Sequence, residues 1–282
     1  DIYFQSVEAR NELYNKMPDI VNEYMEEINK IMGTDYKPFN YYGVSDAENI
    51  IVAMGSVTDT IKLVVDNLNK SGHKVGLINV HLYRPFSSKY LKNVLPKTVK
   101  NIAVLDRTKE AGSNGEPLYL DVLESLKDTN INIVGGRYGL SSKNTNPACI
   151  KAIYDMLKGK LKNNFTVGIN DDVTNLSLEL DTNFKIENSR EFLIYGLGSD
   201  GMVSASKSII KMVGNDTDKY AQGYFEYDSK KSGGVTVSHL RFSDNEIRAS
   251  YYVENPSLIV VTKDGYLEDF DILDKIKNVK YN

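Results

Sequence analysis

The sequence predicts an α/β protein of two domains. Short apolar runs alternate with helical patterns four times between residues 41 and 165. A polar segment follows over residues 166–189, and a new apolar run then meets a glycine-rich turn. Strands that alternate with helices are typical of a parallel, Rossmann-like sheet covered on both faces. A chain of 282 residues is long enough to bury two such cores.

The first 40 residues are predicted to form an amphipathic helix and a linker from a preceding domain. Apolar side chains recur there at helical spacing: Ile20, Val21, Tyr24, Ile28 and Ile31. Pro18 is predicted to start this helix and Gly33 to end it. The segment "KPFNYYG" is interpreted as the linker to the first domain.

Four strand–helix units make up the predicted domain over residues 41–165. The strands are "NIIVAMG", "HKVGLINVHLY", "KNIAVLDRT" and "INIVGGRYG", and the helices cover residues 56–71, 87–95, 116–127 and 147–161. The strand at residues 49–55 is apolar without alternation, as expected of a strand buried on both faces. Residues 166–189 are interpreted as a linker or a surface strap, because they are polar and rich in turn residues.

The second domain, residues 190–282, is predicted to be rich in strands. A helix over residues 200–213 follows the glycine turn, and "YAQGYFEYDS", "GGVTVSHLRF", "EIRASYYV" and "SLIVVT" are rich in β-branched and aromatic residues. A further helix is predicted at residues 272–276. If "GGVTVSHLRF" is one strand, alternation places His239 and Arg241 on one face and Ser238 on the other.

Composition excludes several classes of function. The net charge of −4 gives no basic face for nucleic acid, and no apolar run approaches the ~20 residues of a membrane span. The N-terminal residues lack an apolar signal core, so we expect a cytoplasmic protein. Cys149 is the single cysteine, which excludes an internal disulfide or a cysteine-ligated cluster.

The glycine turn is the first candidate site. Gly196, Gly198 and Gly201 have the G-x-G-x-x-G spacing of a turn between a strand and a helix, whose free N–H groups favour an anion. The alternative is a tight turn with no ligand. Nicotinamide binding is disfavoured, because Asp200 lies within the turn and the next acid, Asp228, is too distant for a ribose contact.

Basic residues after the turn form a second candidate group. Lys230 and Lys231 flank a Ser-Gly-Gly turn, and with Arg241 they would suit a phosphorylated ligand. The alternative is a hairpin with solvated lysines. In the first domain, His81 precedes Arg84 at a strand end and is interpreted as structural, and "DRTKEAGSNGEPLYLDV" is a site or an interface.

Several stretches closely resemble one family along essentially the whole chain. They are "YGLGSDGMVSASK", "DKYAQGYFEYDSKKSGGVTVSHLRF", "DRTKEAGSNGEPLYLDV", "FTVGINDDVTNLSL" and "LYRPF". The family is the pyruvate:ferredoxin (flavodoxin) oxidoreductases, a group of 2-oxoacid oxidoreductases. The resemblance implies that residues 41–165 form a domain like the transketolase carboxyl-terminal domain and that residues 190–282 begin a gamma-type domain.

The resemblance also implies a function for the whole enzyme, which converts pyruvate and coenzyme A to acetyl-CoA and CO₂ and passes electrons to ferredoxin or flavodoxin. Thiamine diphosphate, Mg²⁺ and 4Fe–4S clusters are expected in other domains of the same polypeptide, and the full-length enzyme is expected to be a homodimer. This chain is therefore expected to be non-catalytic and to hold no metal. The residues implied for coenzyme A are Gly196, Gly198, Ser199, Asp200, Gly201, Lys207, Lys230, Lys231 and Arg241.

The chain departs from the family pattern at three places. Met202, Ser204 and Ser206 replace the usual Thr, Gly and Asn, Thr262, Lys263 and Asp264 replace a Cys-His-Asn, and His81 stands where Arg is common. The alternative interpretation is a purely architectural module, either of a divergent 2-oxoacid oxidoreductase or of another multidomain reductase such as a sulfite reductase.

Overall fold

A computed structural model describes residues 1–228, 234–272 and 275. The chain forms two compact units, Asp1–Ile186 and Glu187–Asn282. The predicted helix at residues 272–276 lies mostly outside the described residues. None of the helices in the described part combines the length and apolar character of a membrane span.

The first unit begins with two helices, α1 (Ile2–Ala9) and α2 (Asn11–Met32). Gly33 ends α2 in the left-handed conformation, as predicted, but Pro18 lies inside the helix and does not start it. A proline inside a helix removes one backbone hydrogen bond. Here Pro18 is buried, and Asp19 beside it accepts hydrogen bonds from Lys89 Nζ and Tyr90 Oη, both at 2.7 Å. These contacts join α2 to α4 at the position of the proline.

The rest of the first unit is a sheet covered by helices. The elements are β1 (Phe39–Gly43), β2 (Asn49–Ala53), α3 (Val57–Lys70), β3 (Val75–Val80), α4 (Ser88–Val94), β4 (Asn101–Asp106), α5 (Pro117–Ser125), β5 (Asn132–Arg137), α6 (Pro147–Lys158) and β6 (Phe165–Thr166). In the described residues the sheet has six strands in the order β1-β3-β2-β4-β5-β6. Strands β2 to β6 are parallel, which confirms the predicted fold class.

Two apolar layers cover this sheet. Side chains of α3 and α6, such as Ile61 and Ile153, pack on one face, and those of α4 and α5, such as Leu91 and Val122, pack on the other. The interpretation of "KPFNYYG" as a linker is wrong, because β1 pairs antiparallel with β3 over its whole length. The polar segment after β6 contributes Leu178, Leu180, Phe184 and Ile186 to the first layer, so it is a strap over the surface.

The second unit contains β7 (Arg190–Leu197), α7 (Met202–Asp216), β8 (Tyr220–Tyr227), β9 (Val235–Ser243), β10 (Leu258–Val261) and α8 (Tyr266–Asp269). Among the described residues its sheet has four strands in the order β10-β7-β9-β8, with β10 parallel to β7 and the other pairs antiparallel. The helix α7 begins two residues later than predicted.

The prediction of a strand at "EIRASYYV" is wrong. Strand β9 already pairs with β7 and β8, so no ladder position remains beside it for this segment. Residues 249–255, which we call the covering strap, instead cross one face of the sheet. Side chains bind its backbone: Val253 N–H donates to His239 Nδ1 at 3.0 Å, and Asn255 N–H donates to Glu191 Oε2 at 3.3 Å.

Candidate functional site

The glycine turn joins β7 to α7, and two of its glycines are required for different reasons. A Cβ on Gly196 would lie 2.9 Å from Met202 Cβ, closer than real Cβ atoms come to a neighbour, and 3.1 Å from Thr236 Oγ1, which is a tight contact. Gly201 has open space around it but a φ of 87°, which L side chains rarely adopt. Close packing of helix on strand explains the first glycine, and backbone conformation explains the last.

Asp200 occupies the centre of the turn. Its Oδ2 accepts a hydrogen bond from Leu197 N–H at 2.7 Å, and its Oδ1 accepts one from Met202 N–H at 2.8 Å. Thr262 Oγ1, directly after β10, donates to the same Oδ2 at 3.1 Å. Burial opposes ionisation of this carboxyl, but the hydrogen bonds from Met202, Leu197 and Thr262 prevail and lower its pKa. The first amide of α7 thus has its acceptor in a side chain of the turn itself.

The tip of the turn faces outward. Ser199 is exposed and has a φ of 75°, in the left-handed region. Gly198 N–H donates to the carbonyl of Gly234 at 2.8 Å, which joins the turn to the start of β9. The turn therefore lies beside the described ends of the connection between β8 and β9. Lys230 and Lys231 belong to that connection and lie outside the described residues.

Lys207 is exposed on α7, and its Nζ lies 5.3 Å from the centre of the Phe225 ring on β8. The side chain thus extends from the helix toward β8. No hydrogen bond or ion pair holds its ammonium group within the described part of the chain.

Arg241 is buried, whereas a ligand contact requires an accessible side chain. Its guanidinium is 1% exposed, and Nε donates to Glu191 Oε1 at 2.6 Å. The guanidinium also lies 4.7 Å from the centre of the Tyr251 ring in the covering strap. These contacts bury the charge between β7, β9 and the strap, so the geometry supports a structural role. Its role in binding phosphate stays a prediction.

The candidate residues of the first unit have structural partners. Asp106 is buried and accepts hydrogen bonds from the amides of Leu118 and Tyr119 at the start of α5, while burial raises its pKa. Glu116 accepts a hydrogen bond from Arg137 Nε at 2.6 Å. Much of "DRTKEAGSNGEPLYLDV" therefore fixes α5 against β4 and β5. The described residues contain no group of three or more side chains suited to a metal ion.

His81 is exposed beside Tyr36, with ring centres 5.2 Å apart and the rings nearly perpendicular. Partial burial, aided by the charge of Lys62, lowers its pKa. Thr262 is the residue that sequence reasoning missed, since it was noted only as a departure from the family pattern. The signal was available: "SLIVV" predicts a strand that ends at Thr262, and the carboxyl ends of neighbouring parallel strands meet at one edge of a sheet.

The fold and the turn define a two-domain α/β chain with a carboxylate-held glycine turn in its second domain. Residues 47–148 match the family described as pyruvate:ferredoxin oxidoreductase core domain II, and residues 191–281 match the family described as pyruvate ferredoxin/flavodoxin oxidoreductase. Both domains therefore belong to the pyruvate:ferredoxin/flavodoxin oxidoreductase family, which confirms the resemblance seen in the sequence.

Similar proteins carry related names. The chain is 50% identical to the pyruvate-flavodoxin oxidoreductase of Enterobacter agglomerans over 283 residues, and 50% identical to the pyruvate:ferredoxin oxidoreductase of Moorella thermoacetica over 282 residues. Each match covers 98% of this chain and 24% of the relative. The pyruvate dehydrogenase [NADP(+)] of Cryptosporidium parvum is 46% identical over 287 residues, which cover 98% of this chain and 15% of that relative. The chain spans about a quarter of the length of the first two.

Proposed function

We propose that this chain is a segment of a pyruvate:ferredoxin or pyruvate:flavodoxin oxidoreductase. The complete enzyme would convert pyruvate and coenzyme A to acetyl-CoA and CO₂ and pass two electrons to a carrier. The observation that carries the proposal is identity of about 50% over 98% of the chain to relatives with these names. Those names differ in the carrier, flavodoxin, ferredoxin or NADP⁺.

The chain alone would not catalyse this reaction. A 4Fe–4S cluster needs several cysteine thiolates, and Cys149 is the single cysteine and is buried in α6. Thiamine diphosphate, Mg²⁺ and the clusters would be held by other domains of a longer polypeptide, which would be a cytoplasmic homodimer. Thiamine diphosphate supplies the carbanion chemistry when it is bound.

The second unit would contribute to coenzyme A binding. The turn formed by Gly196, Gly198 and Gly201 presents Ser199 outward, and the ammonium group of Lys207 extends toward β8. Lys230 and Lys231, which lie outside the described residues, are included for their charge. Coenzyme A carries phosphates that ammonium groups bind through charge-assisted hydrogen bonds. Arg241, buried against Glu191, is assigned to the architecture of the unit.

The test uses the full-length enzyme with Lys207→Ala and Lys230→Ala. Losing one charge-assisted bond costs roughly 1.5 to 3 kcal/mol, so the Michaelis constant for coenzyme A should rise about ten- to a hundredfold. Decarboxylation of pyruvate measured without coenzyme A should be unchanged. Lys211→Ala is the matched control, because Lys211 is exposed one turn further along α7. An unchanged Michaelis constant in both lysine variants would contradict the proposal.

A purely architectural role is the second candidate, favoured by one observation. Helix α2 exposes an apolar stripe to solvent at helical spacing: Leu13, Met17, Ile20, Tyr24, Ile28 and Ile31. In a longer polypeptide such a stripe would pack against neighbouring domains. Replacing Tyr24 and Ile28 with Ser in the full-length enzyme should then weaken its assembly, measured by sedimentation, without changing the Michaelis constant for coenzyme A.

A further inference from the structure

The start of α7 carries backbone N–H groups and the positive end of the helix dipole, which together attract an anion. We propose that Asp200 is a positioning residue that acts as the resident anion of the glycine turn. A phosphate group therefore does not bind to the amide of Met202, the first of α7. The turn meets its ligand with the outer edge around Ser199, and this last step rests on the proposed function.

The geometry uses both oxygens of the carboxylate. Oδ1 binds the amide of Met202, the first residue of α7, while Oδ2 binds the amide of Leu197, the last residue of β7. Thr262 adds a hydroxyl donor from the end of β10. One carboxylate thus joins three elements of the unit and fixes the path of the turn between them.

The glycine at the start of the turn is part of the same arrangement. A Cβ on Gly196 would lie 3.1 Å from Asp200 Oδ2. A larger residue there would require the carboxylate to shift by a few tenths of an ångström away from the strand. Gly196 therefore leaves the space that this internal anion occupies.

A second anion at this place would meet two obstacles. The amides of Leu197 and Met202 already have an acceptor within 2.8 Å. The ionised carboxylate would also repel a phosphate at contact distance. The hydroxyl of Ser199 is exposed at the tip of the turn.

The test follows amide resonances of the 282-residue chain while inorganic phosphate is added. In the wild type, phosphate should leave the resonances of Leu197 and Met202 unchanged. In Asp200→Ala, hydrogen exchange of these two amides should accelerate at least tenfold, and phosphate should then shift both resonances. Asp200→Asn keeps one acceptor oxygen and should give intermediate exchange. Asp216→Ala, at the other end of α7, is the control and should change neither measurement.

Two results would overturn the proposal: phosphate shifts at Leu197 and Met202 in the wild type, or wild-type exchange rates in Asp200→Ala. If Asp200→Ala does not fold, Asp200→Asn and Thr262→Val provide the same comparison with smaller changes. Because coenzyme A is absent from the experiment, its result is independent of the proposed function. That function fails separately, if the lysine variants leave the Michaelis constant unchanged.

Discussion

Replacing Arg241 with Met should destabilise the second unit strongly. The change removes a guanidinium that is 1% exposed and leaves the carboxylate of Glu191, 13% exposed, without its ion-pair partner. Breaking a buried pair from one side costs about 3 to 5 kcal/mol, because the remaining charge stays desolvated. The loss of the stacking contact with Tyr251 acts in the same direction.

Amide hydrogen exchange in β9 measures this loss within the whole chain. A cost of 3 to 5 kcal/mol corresponds to exchange about a hundred- to a few thousandfold faster at Val237 and Leu240, at about 1.4 kcal/mol for each tenfold change. The double variant Arg241→Met with Glu191→Met should recover part of the loss, because no unpaired charge remains buried. Lys219→Ala is the control, since it removes an exposed pair with Asp244 and should change exchange little.

The reasoning would be refuted by unchanged exchange in Arg241→Met together with a raised Michaelis constant for coenzyme A in the full-length enzyme. Arg241 would then be a ligand contact, as its charge and position in the sequence suggest. Faster exchange with an unchanged Michaelis constant supports the structural assignment.

Two further predictions concern the second unit. The new methyl group in Gly201→Ala meets open space, so the variant should lose only about 1 to 2 kcal/mol of unfolding free energy in urea, from left-handed backbone strain. Gly196→Ala should lose more, because its Cβ would lie 2.9 Å from Met202 Cβ. Equal losses in the two variants would contradict the packing explanation. The imidazole of His239 beside Glu226 lowers the pKa of that carboxyl in the folded unit. Ionised Glu226 therefore stabilises the unit at pH values above its unfolded pKa of about 4.3. This stabilisation is lost as the pH falls through the lower pKa of the folded state. Stability of Glu226→Gln should therefore depend less on pH below about 4.3, and an unchanged dependence would contradict this explanation.

The sequence predicts the centre of the first sheet better than its edge. Strands β2 and β3 are nearly continuous apolar runs, because both of their faces are buried, and such runs are recognisable without knowledge of the fold. Strand β1 is half-buried and contains Asn40 and two tyrosines, so its pattern does not differ from that of a loop. Only its pairing with β3, from Phe39 opposite Val80 to Gly43 opposite Gly76, makes it a strand.

The candidate site is also only partly predictable, because some of its features depend on neighbouring residues and others on residues distant in the sequence. Glycine spacing locates the turn, because strand, turn and helix are consecutive in the chain. The role of Arg241 depends on Glu191, 50 residues earlier, and on a strap that covers that face of the sheet. Alternation correctly places Arg241 on the same face as His239, since both contact the strap, but alternation does not tell which face the strap will bury. Likewise, an acidic residue inside a glycine turn argues against a bound pyrophosphate. Only the hydrogen bonds from Leu197, Met202 and Thr262 show that the carboxylate of Asp200 uses donors that a bound anion would otherwise use. A charged residue near a predicted ligand site is therefore a ligand contact only if no buried partner of opposite charge or internal donor has already engaged it.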